Sequence, residues 1–183
     1  MKSSEKLARS LLERYKPSYS EELVYKKKML EFMSSYEDCF LRSCRAGHFT
    51  ASAFLLNKEK SHALLMHHTK LDKWMQLGGH CDGDADLLNV AIKEAREESG
   101  IHSIKPVSLE IFDLDIHLIP PRKEEGEHCH FDIRFLLYVH DSSKFQKNHE
   151  SKELRWIDIN STSLPSKERS VIRMFEKVRK INF

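Results

Sequence analysis

Apolar and polar positions change their period repeatedly along the chain. Residues 1–46 carry helical spacing. Leu7, Leu11 and Leu12 form one stripe before Pro17 interrupts it. A second helix starts at the capping serine Ser20 and sets Leu23, Leu30 and Met33 among charges. From Gly47 the period shortens. HFTASAFLLN and SHALLMHH are short apolar runs separated by NKEK, which predicts a hairpin, and KWMQL is a third short strand. Residues 87–99 return to helical spacing. Ile104 to Ile119 and Glu127 to His140 predict two long strands around the loop PPRKEEGE, RWIDI a short strand, and the segment after Pro165 a closing helix. Strands mixed with helices in this order predict a layered α/β or α+β domain over residues 47–183, with residues 1–46 as a helical extension.

Composition narrows the class. A chain of 183 residues with 40% hydrophobic content can bury one proper core. A formal charge of +2 is too small to argue for nucleic acid or an acidic membrane surface. The run Lys26–Lys28 stands alone without interleaved aromatics and reads as the solvated side of its helix. No apolar run approaches the roughly 20 residues needed to span a bilayer, and the N-terminal segment lacks the uninterrupted apolar stretch of a secretory signal. Cys39, Cys44, Cys81 and Cys129 show neither CxxC pairs nor disulfide-dense spacing. A reduced, cytoplasmic setting is the expectation.

The densest chemistry lies in LGGHCDGDADLLNVAIKEAREESGI, Leu77 to Ile101. On a helix of 3.6 residues per turn, Glu94, Glu97 and Glu98 cover an arc of about 100°. Leu88, Ala91, Ile92 and Ala95 fall on a neighbouring arc that can pack on a sheet. Like charges at this spacing repel, so the stripe is either a solvated face offset by Lys93 and Arg96, or a ligand set. Three features favour the ligand set. The stripe follows a Gly-Gly turn whose backbone can approach a ligand closely. Asp82, Asp84 and Asp86 add carboxylates near the helix N-terminus, and Gly100 stops the helix ahead of an apolar anchor. Carboxylates alone suit a hard divalent cation, Mg²⁺ or Mn²⁺.

Gly79 to Ile101 resembles the Nudix box, a 23-residue signature of fixed spacing. Gly79, Glu94, Ala95, Glu97, Glu98, Gly100 and Ile101 fall in its register. Two positions depart: Ala85, flanked by Asp84 and Asp86, replaces the first box Glu, and Lys93 replaces the box Arg, whose fork a lysine cannot reproduce. HFTASAFLL, the segment leading into the box, and HCHFDIRFLL extend the resemblance toward a bacterial subgroup over roughly residues 47–175. The resemblance implies an α/β/α sandwich with a mixed sheet and hydrolysis of a nucleoside diphosphate linked to another moiety. It further implies metal binding by Glu94, Glu97 and Glu98, with the Gly78 carbonyl as a further ligand. In this reading Glu94 is the base or base-orienting group, Glu98 the principal metal ligand and Glu97 a supporting one. The partner is then a small-molecule diphosphate, and a homodimer stays open. Ala85 and Lys93 keep a rival open: a Nudix-fold ligand-binding or regulatory protein without turnover. An isoprenoid diphosphate isomerase on the same fold lacks its expected Cys and Glu pair here.

A second polar face accompanies the box. Strand alternation puts Asp113, Asp115 and His117 on one side of DLDIHLIP, and His128, His130, Asp132 and Arg134 on one side of EHCHFDIRFLL. Antiparallel pairing of these strands would merge the two polar faces. That face is either a wet outer surface or a substrate cleft lined by His80, His128, His130 and Asp132, with Arg134 on a phosphate. His80, Cys81, His128, Cys129 and His130 match no closed zinc spacing, and alternation sends Cys129 away from its histidine neighbours. His67 and His68 read as a strand end rather than as ligands, and Trp74 as a core residue ahead of a base-stacking one.

Overall fold

The computed structural model describes residues 3–121, 126–142 and 144–183, so half of the PPRKEEGE loop lies outside the described residues. Two helices lead, α1 (Ser3–Arg14) and α2 (Ser20–Ser35). The strands are β1 (Gly47–Leu56), β2 (His62–His68), β3 (Trp74–Met75), β4 (Leu77–His80), β5 (Ile104–Pro106), β6 (Asp113–Ile119), β7 (His128–Val139) and β8 (Ser151–Asp158). Helix α3 (Leu87–Ser99) follows β4, and α4 (Arg169–Val178) closes the chain. The sheet is mixed: β1 runs parallel to β7 and antiparallel to β2 and β4, while β6 pairs antiparallel with β7.

Alternation along the central strands builds three layers. Phe49, Ala51, Ala53 and Leu55 of β1 share a core with Phe131, Ile133, Phe135 and Leu137 of β7. Leu87, Val90, Ala91 and Ala95 of α3 pack on that face, as do Leu11 and Leu12 of α1 and Met29 and Phe32 of α2. Phe54, Leu56 and Leu136 point the other way, onto Val171, Met174, Phe175 and Val178 of α4. The first two helices therefore belong to the same core as the sheet.

Four local expectations are corrected. The N-cap of α2 is Tyr19, one residue before Ser20, because the Glu22 carboxylate reaches back to accept from Tyr19 N at 3.1 Å and Ser18 N at 2.9 Å. Leu23 is exposed, and the buried stripe of α2 runs through Met29 and Phe32. The long strand expected from Ile104 to Ile119 is broken. Pro106 pairs with Leu137 and Asp113 with Arg134, so residues 107–112 span a gap of only two residues on β7 and bulge off the ladder. Val107 and Phe112 still donate to the Leu136 and Arg134 carbonyls at 2.9 and 2.8 Å, so the bulge is closed at both ends against β7. Lys26 is more than a solvated charge, since its ammonium donates to the Glu13 and Tyr15 carbonyls at 2.7 and 2.8 Å, where α1 ends.

Candidate active site

Helix α3 is fixed at both ends by its own sequence. Asp86 caps it, accepting from Asn89 N at 3.2 Å. Gly100 ends it in the left-handed region at φ 69°, donating to the Arg96 carbonyl. The acidic loop before the helix is thereby accounted for structurally. Asp84 accepts from Asp86 N at 2.9 Å, and Asp82 holds Arg42 through two bonds of 2.5 and 2.7 Å. Ala85, at the departing box position, is buried in the core.

The glutamates of α3 meet the Gly78–Gly79 turn of β4. Glu98 is buried, 3% exposed, and its carboxylate accepts the Gly78 N–H at 2.7 Å. A side chain on Gly79 would come within 2.4 Å of the Glu94 carboxylate, and one on Gly78 within 2.3 Å of Ser52 Oγ. The two glycines therefore let β4 lie directly against both a carboxylate and the neighbouring strand. Glu94 is largely buried, with its side chain 17% exposed, whereas Glu97 stands in solvent at 57%. Lys93 Nζ lies 3.3 Å from Glu94 and 3.6 Å from Glu97, so one ammonium serves two carboxylates from an exposed position.

This arrangement is electrostatically unfinished. Burial pushes the Glu98 carboxyl up to about 8, against the opposing Gly78 N–H, and the charges of Glu94, Glu150 and Glu97 add to the rise. Burial also raises Glu94, although Lys93 opposes it. The donors gathered here are oxygens, two of them on carboxylates that burial alone penalises. Such a set fits a hard divalent cation, whose charge would reverse both shifts.

Glu150 was not visible in the sequence. The segment before β8 returns to α3, where Gln146 N donates to the Ser99 carbonyl at 2.7 Å and Asn148 Nδ2 to the Glu97 carbonyl at 3.4 Å. That return brings the Glu150 charge to bear on both Glu94 and Glu98. No periodicity marks this loop, and an acidic residue next to a strand start was its one available signal.

The second polar face forms as expected in register but not in purpose. Asp113 faces Arg134, Asp115 faces Asp132 and His117 faces His130 across β6 and β7. However, this face is turned toward α4, while α3 packs on the opposite side with Phe131, Ile133 and Phe135. Arg134 is 2% exposed and spends its five N–H donors inside the protein: Nε on Asp132 at 2.7 Å, Nη1 on Asp113 and the Ser170 carbonyl, Nη2 on Asp115 and Ser170 Oγ. No donor is left for a phosphate, and the expected Arg134 contact across a cleft from Glu94 and Glu98 is overturned. Asp132 is likewise occupied by Thr50, Ser52 and Gln76 at 3.0, 2.7 and 3.2 Å.

The network continues outward. Arg173 grips Asp113 through bonds of 2.9 and 2.8 Å, and Lys177 joins Asp113 to Glu22 at 3.1 and 2.6 Å. Burial alone would raise Asp113 and Asp115. Arg173, Arg134 and Lys177 around Asp113, and Arg134 and His117 beside Asp115, outweigh it and hold both below the usual carboxylate range. The predicted substrate contacts His80, His128 and His130 lie on this same face, in an imidazole cluster with His48 and His117. Burial, with the neighbouring imidazoles adding to it, lowers His48 to about 4 and His130 to about 2. His67 does close β2 against Trp74, whose ring it stacks on at 5.2 Å.

The family model of the NUDIX domain matches residues 47–177. The chain belongs to the Nudix family. A Bacillus subtilis (strain 168) protein described as an uncharacterized Nudix hydrolase, YvcI, is 29% identical over 99 residues, covering 53% of this chain and 58% of YvcI. The match thus spans little more than half of that relative's length. Among solved structures, a C. elegans Ap4A hydrolase binary complex superposes with a TM-score of 0.57 at 16% identity, covering 72% of this chain and 94% of its own. The MutT protein from Methanosarcina mazei Go1 does so at 0.57 and 19%, covering 74% and 95%. These likenesses show the mixed α/β Nudix fold, here preceded by α1 and α2. Among the described residues, no helix is long and apolar enough to cross a membrane.

Proposed function

We propose that the chain is a divalent-cation-dependent pyrophosphohydrolase that cleaves a nucleoside diphosphate linked to another moiety. The observation that carries this reading is the buried Glu98 carboxylate, pushed up to about 8 beside Glu94 and Glu150 and held against the Gly78 backbone. Membership of the Nudix family supports the reaction class. Glu98, Glu94 and the Gly78 backbone would hold Mg²⁺ or Mn²⁺, with Glu97 and Glu150 at the margin. A bound cation of this kind supplies Lewis acidity toward a phosphoryl oxygen and neutralises charge there. Glu94, raised by burial and tethered by Lys93, suits the role of accepting or orienting a proton from water. The absent side chains at Gly78 and Gly79 let β4 sit close enough to Ser52 and Glu94 to hold the Glu94 carboxylate against the turn.

The test is a panel of nucleoside diphosphate compounds with Mg²⁺ and product identification, run on the native chain and on Glu98→Gln. The reading expects at least one compound to be cleaved and the folded variant to lose turnover by a factor on the order of 10²–10³, the size of loss typical when a charge-stabilising group is removed. Binding without cleavage by the native chain would instead favour a ligand-binding protein, the reading that Ala85 and Lys93 leave open.

A further inference from the structure

The histidines on the α4 face form a second arrangement that the carboxylate site does not use. His48 stands directly beside His130 in the parallel β1–β7 pair, and His128 precedes His130 by one alternation on the same side of β7. Ring centroids lie 4.8 Å apart for His48 and His130, 5.0 Å for His48 and His128, and 5.2 Å for His128 and His130. One nitrogen from each of the three lies within 4.8 Å of the others. His80 borders two of them, 5.0 Å from His48 and 4.9 Å from His130 between ring centroids.

The nitrogens are in the condition that a metal requires. Both ring nitrogens of buried His48, and Nε2 of His130, have no hydrogen-bond partner. Buried polar groups are nearly always satisfied, so the orphaned nitrogens of two neighbouring rings, His48 and His130, call for an explanation. His128 fixes the outer side of the arrangement. Its Nδ1 lies 2.8 Å from the Gly126 carbonyl and must donate to it, which leaves the Nε2 lone pair free to face inward. Backbone carbonyls commonly set the tautomer of ligating histidines in this way.

We propose that His48, His128 and His130 form a binding site for a borderline divalent cation of the zinc type. Imidazole nitrogens favour Zn²⁺ and its late-transition neighbours over Mg²⁺, so this site and the carboxylate site select different ions. A tetrahedral zinc at about 2.0–2.1 Å from each nitrogen would set them roughly 3.4 Å apart, a closure of about an ångström that ring rotation supplies. His128 also lines a cavity of about 420 Å³ together with Arg42, Arg45 and Glu127, which puts this edge of the cluster beside open space. Cys129 takes no part, since it packs with the apolar core on the other face. Sequence spacing hides the site because its third ligand comes from β1, far back in the chain.

The experiment is a Zn²⁺ titration of the chelator-stripped full chain in excess Mg²⁺, which keeps the carboxylate site out of play. A competing chromogenic chelator reads the affinity, and Co²⁺ substitution reads the ligand field. The expected result is one tight Zn²⁺ per chain, and a visible Co²⁺ spectrum of four-coordinate nitrogen character. His48→Gln and His128→Gln should each weaken Zn²⁺ by more than about tenfold, the lower end of the loss seen for changes outside the ligand shell itself. Circular dichroism checks that each variant folds, and His128→Gln, at the rim of the site, is decisive should His48→Gln not fold. Absence of stoichiometric Zn²⁺ binding by the native chain, or native affinity in folded His128→Gln, would overturn the proposal. Neither outcome bears on diphosphate cleavage, which Glu98→Gln tests separately.

Discussion

The molecule carries two clusters of buried carboxylates on opposite faces of one sheet, and the surrounding charges push them in opposite directions. On the α4 side, Asp113 and Asp115 are held below the ordinary range because Arg134 and Arg173 lie within bonding distance. On the α3 side, Glu98 rises to about 8 and Glu94 rises with it, because burial is matched only by a backbone N–H and one exposed lysine. Burial is common to both. The difference is the supply of cations from the chain itself. A paired cluster is a brace, linking α2, α4, β6 and β7. An underpaired cluster stays protonated on its own, and in the function proposed above it takes its cation from outside.

The sharpest way to break this comparison is to make the same change in both clusters. Asp113→Asn removes the charge that Arg134, Arg173 and Lys177 share and leaves buried cations uncompensated. The expected loss is about 3–5 kcal/mol, which is roughly 6–20 °C in Tm for a domain of this size. Thermal or denaturant unfolding checks it, and an unchanged midpoint would remove the brace from the account. Glu98→Gln should have the opposite sign in metal-free protein. The amide still accepts the Gly78 N–H while the buried charge is gone, so stability at pH 8 should rise by about 1–2 kcal/mol, within the usual range for one substitution.

The pH dependence follows with two signs. Glu98 has a folded value above its unfolded one, so the metal-free fold is favoured below about 4.5 and loses that contribution as pH rises toward 8. Asp113 and Asp115 have depressed folded values. Their contribution is complete above about 3.8 and disappears as pH falls through the lower folded range. Unfolding midpoints measured from pH 2 to 9 should therefore show a fall between about pH 4.5 and 8 that Glu98→Gln removes, and a fall below about pH 3.8 that Asp113→Asn lessens. If one substitution removed both slopes, the clusters would not be independent.

The smallest expected effect is at Lys93. Its single ammonium sits at 3.3 Å from Glu94 and 3.6 Å from Glu97. Lys93→Arg offers a fork in the same place and should leave turnover equal or raised by a few-fold, about 1 kcal/mol or less for so exposed a pair. A large loss of turnover in a stable variant would contradict the assignment of Lys93 as a tether for Glu94.

The sequence made one cluster legible and disguised the other. Glu94, Glu97 and Glu98 sit on one helix, so spacing alone puts them together, and the Gly-Gly turn and Gly100 mark both ends. Arg134 was read correctly for its face but not for its neighbours, because whether a polar strand face meets water or α4 is decided by packing outside the strand. His48 could have been found from alternation, since His48, Thr50 and Ser52 interrupt an apolar strand on one side only. Glu150 had no such pattern, as it reaches α3 through an irregular loop. The broken strand between Pro106 and Asp113 is a bulge of six residues opposite two, a register change that the apolar pattern on either side does not mark.

The central claim is that the α3 carboxylates wait for a hard divalent cation and the α4-side carboxylates do not. Calorimetric titration with Mg²⁺ tests it most directly, on the native chain, Glu98→Gln and Asp113→Asn at a temperature where all three are folded. The account predicts saturable Mg²⁺ binding by the native chain, retention in Asp113→Asn, and a loss of tenfold or more, about 1.4 kcal/mol, in Glu98→Gln. Unchanged Mg²⁺ affinity in Glu98→Gln, or its loss in a folded Asp113→Asn, would contradict it.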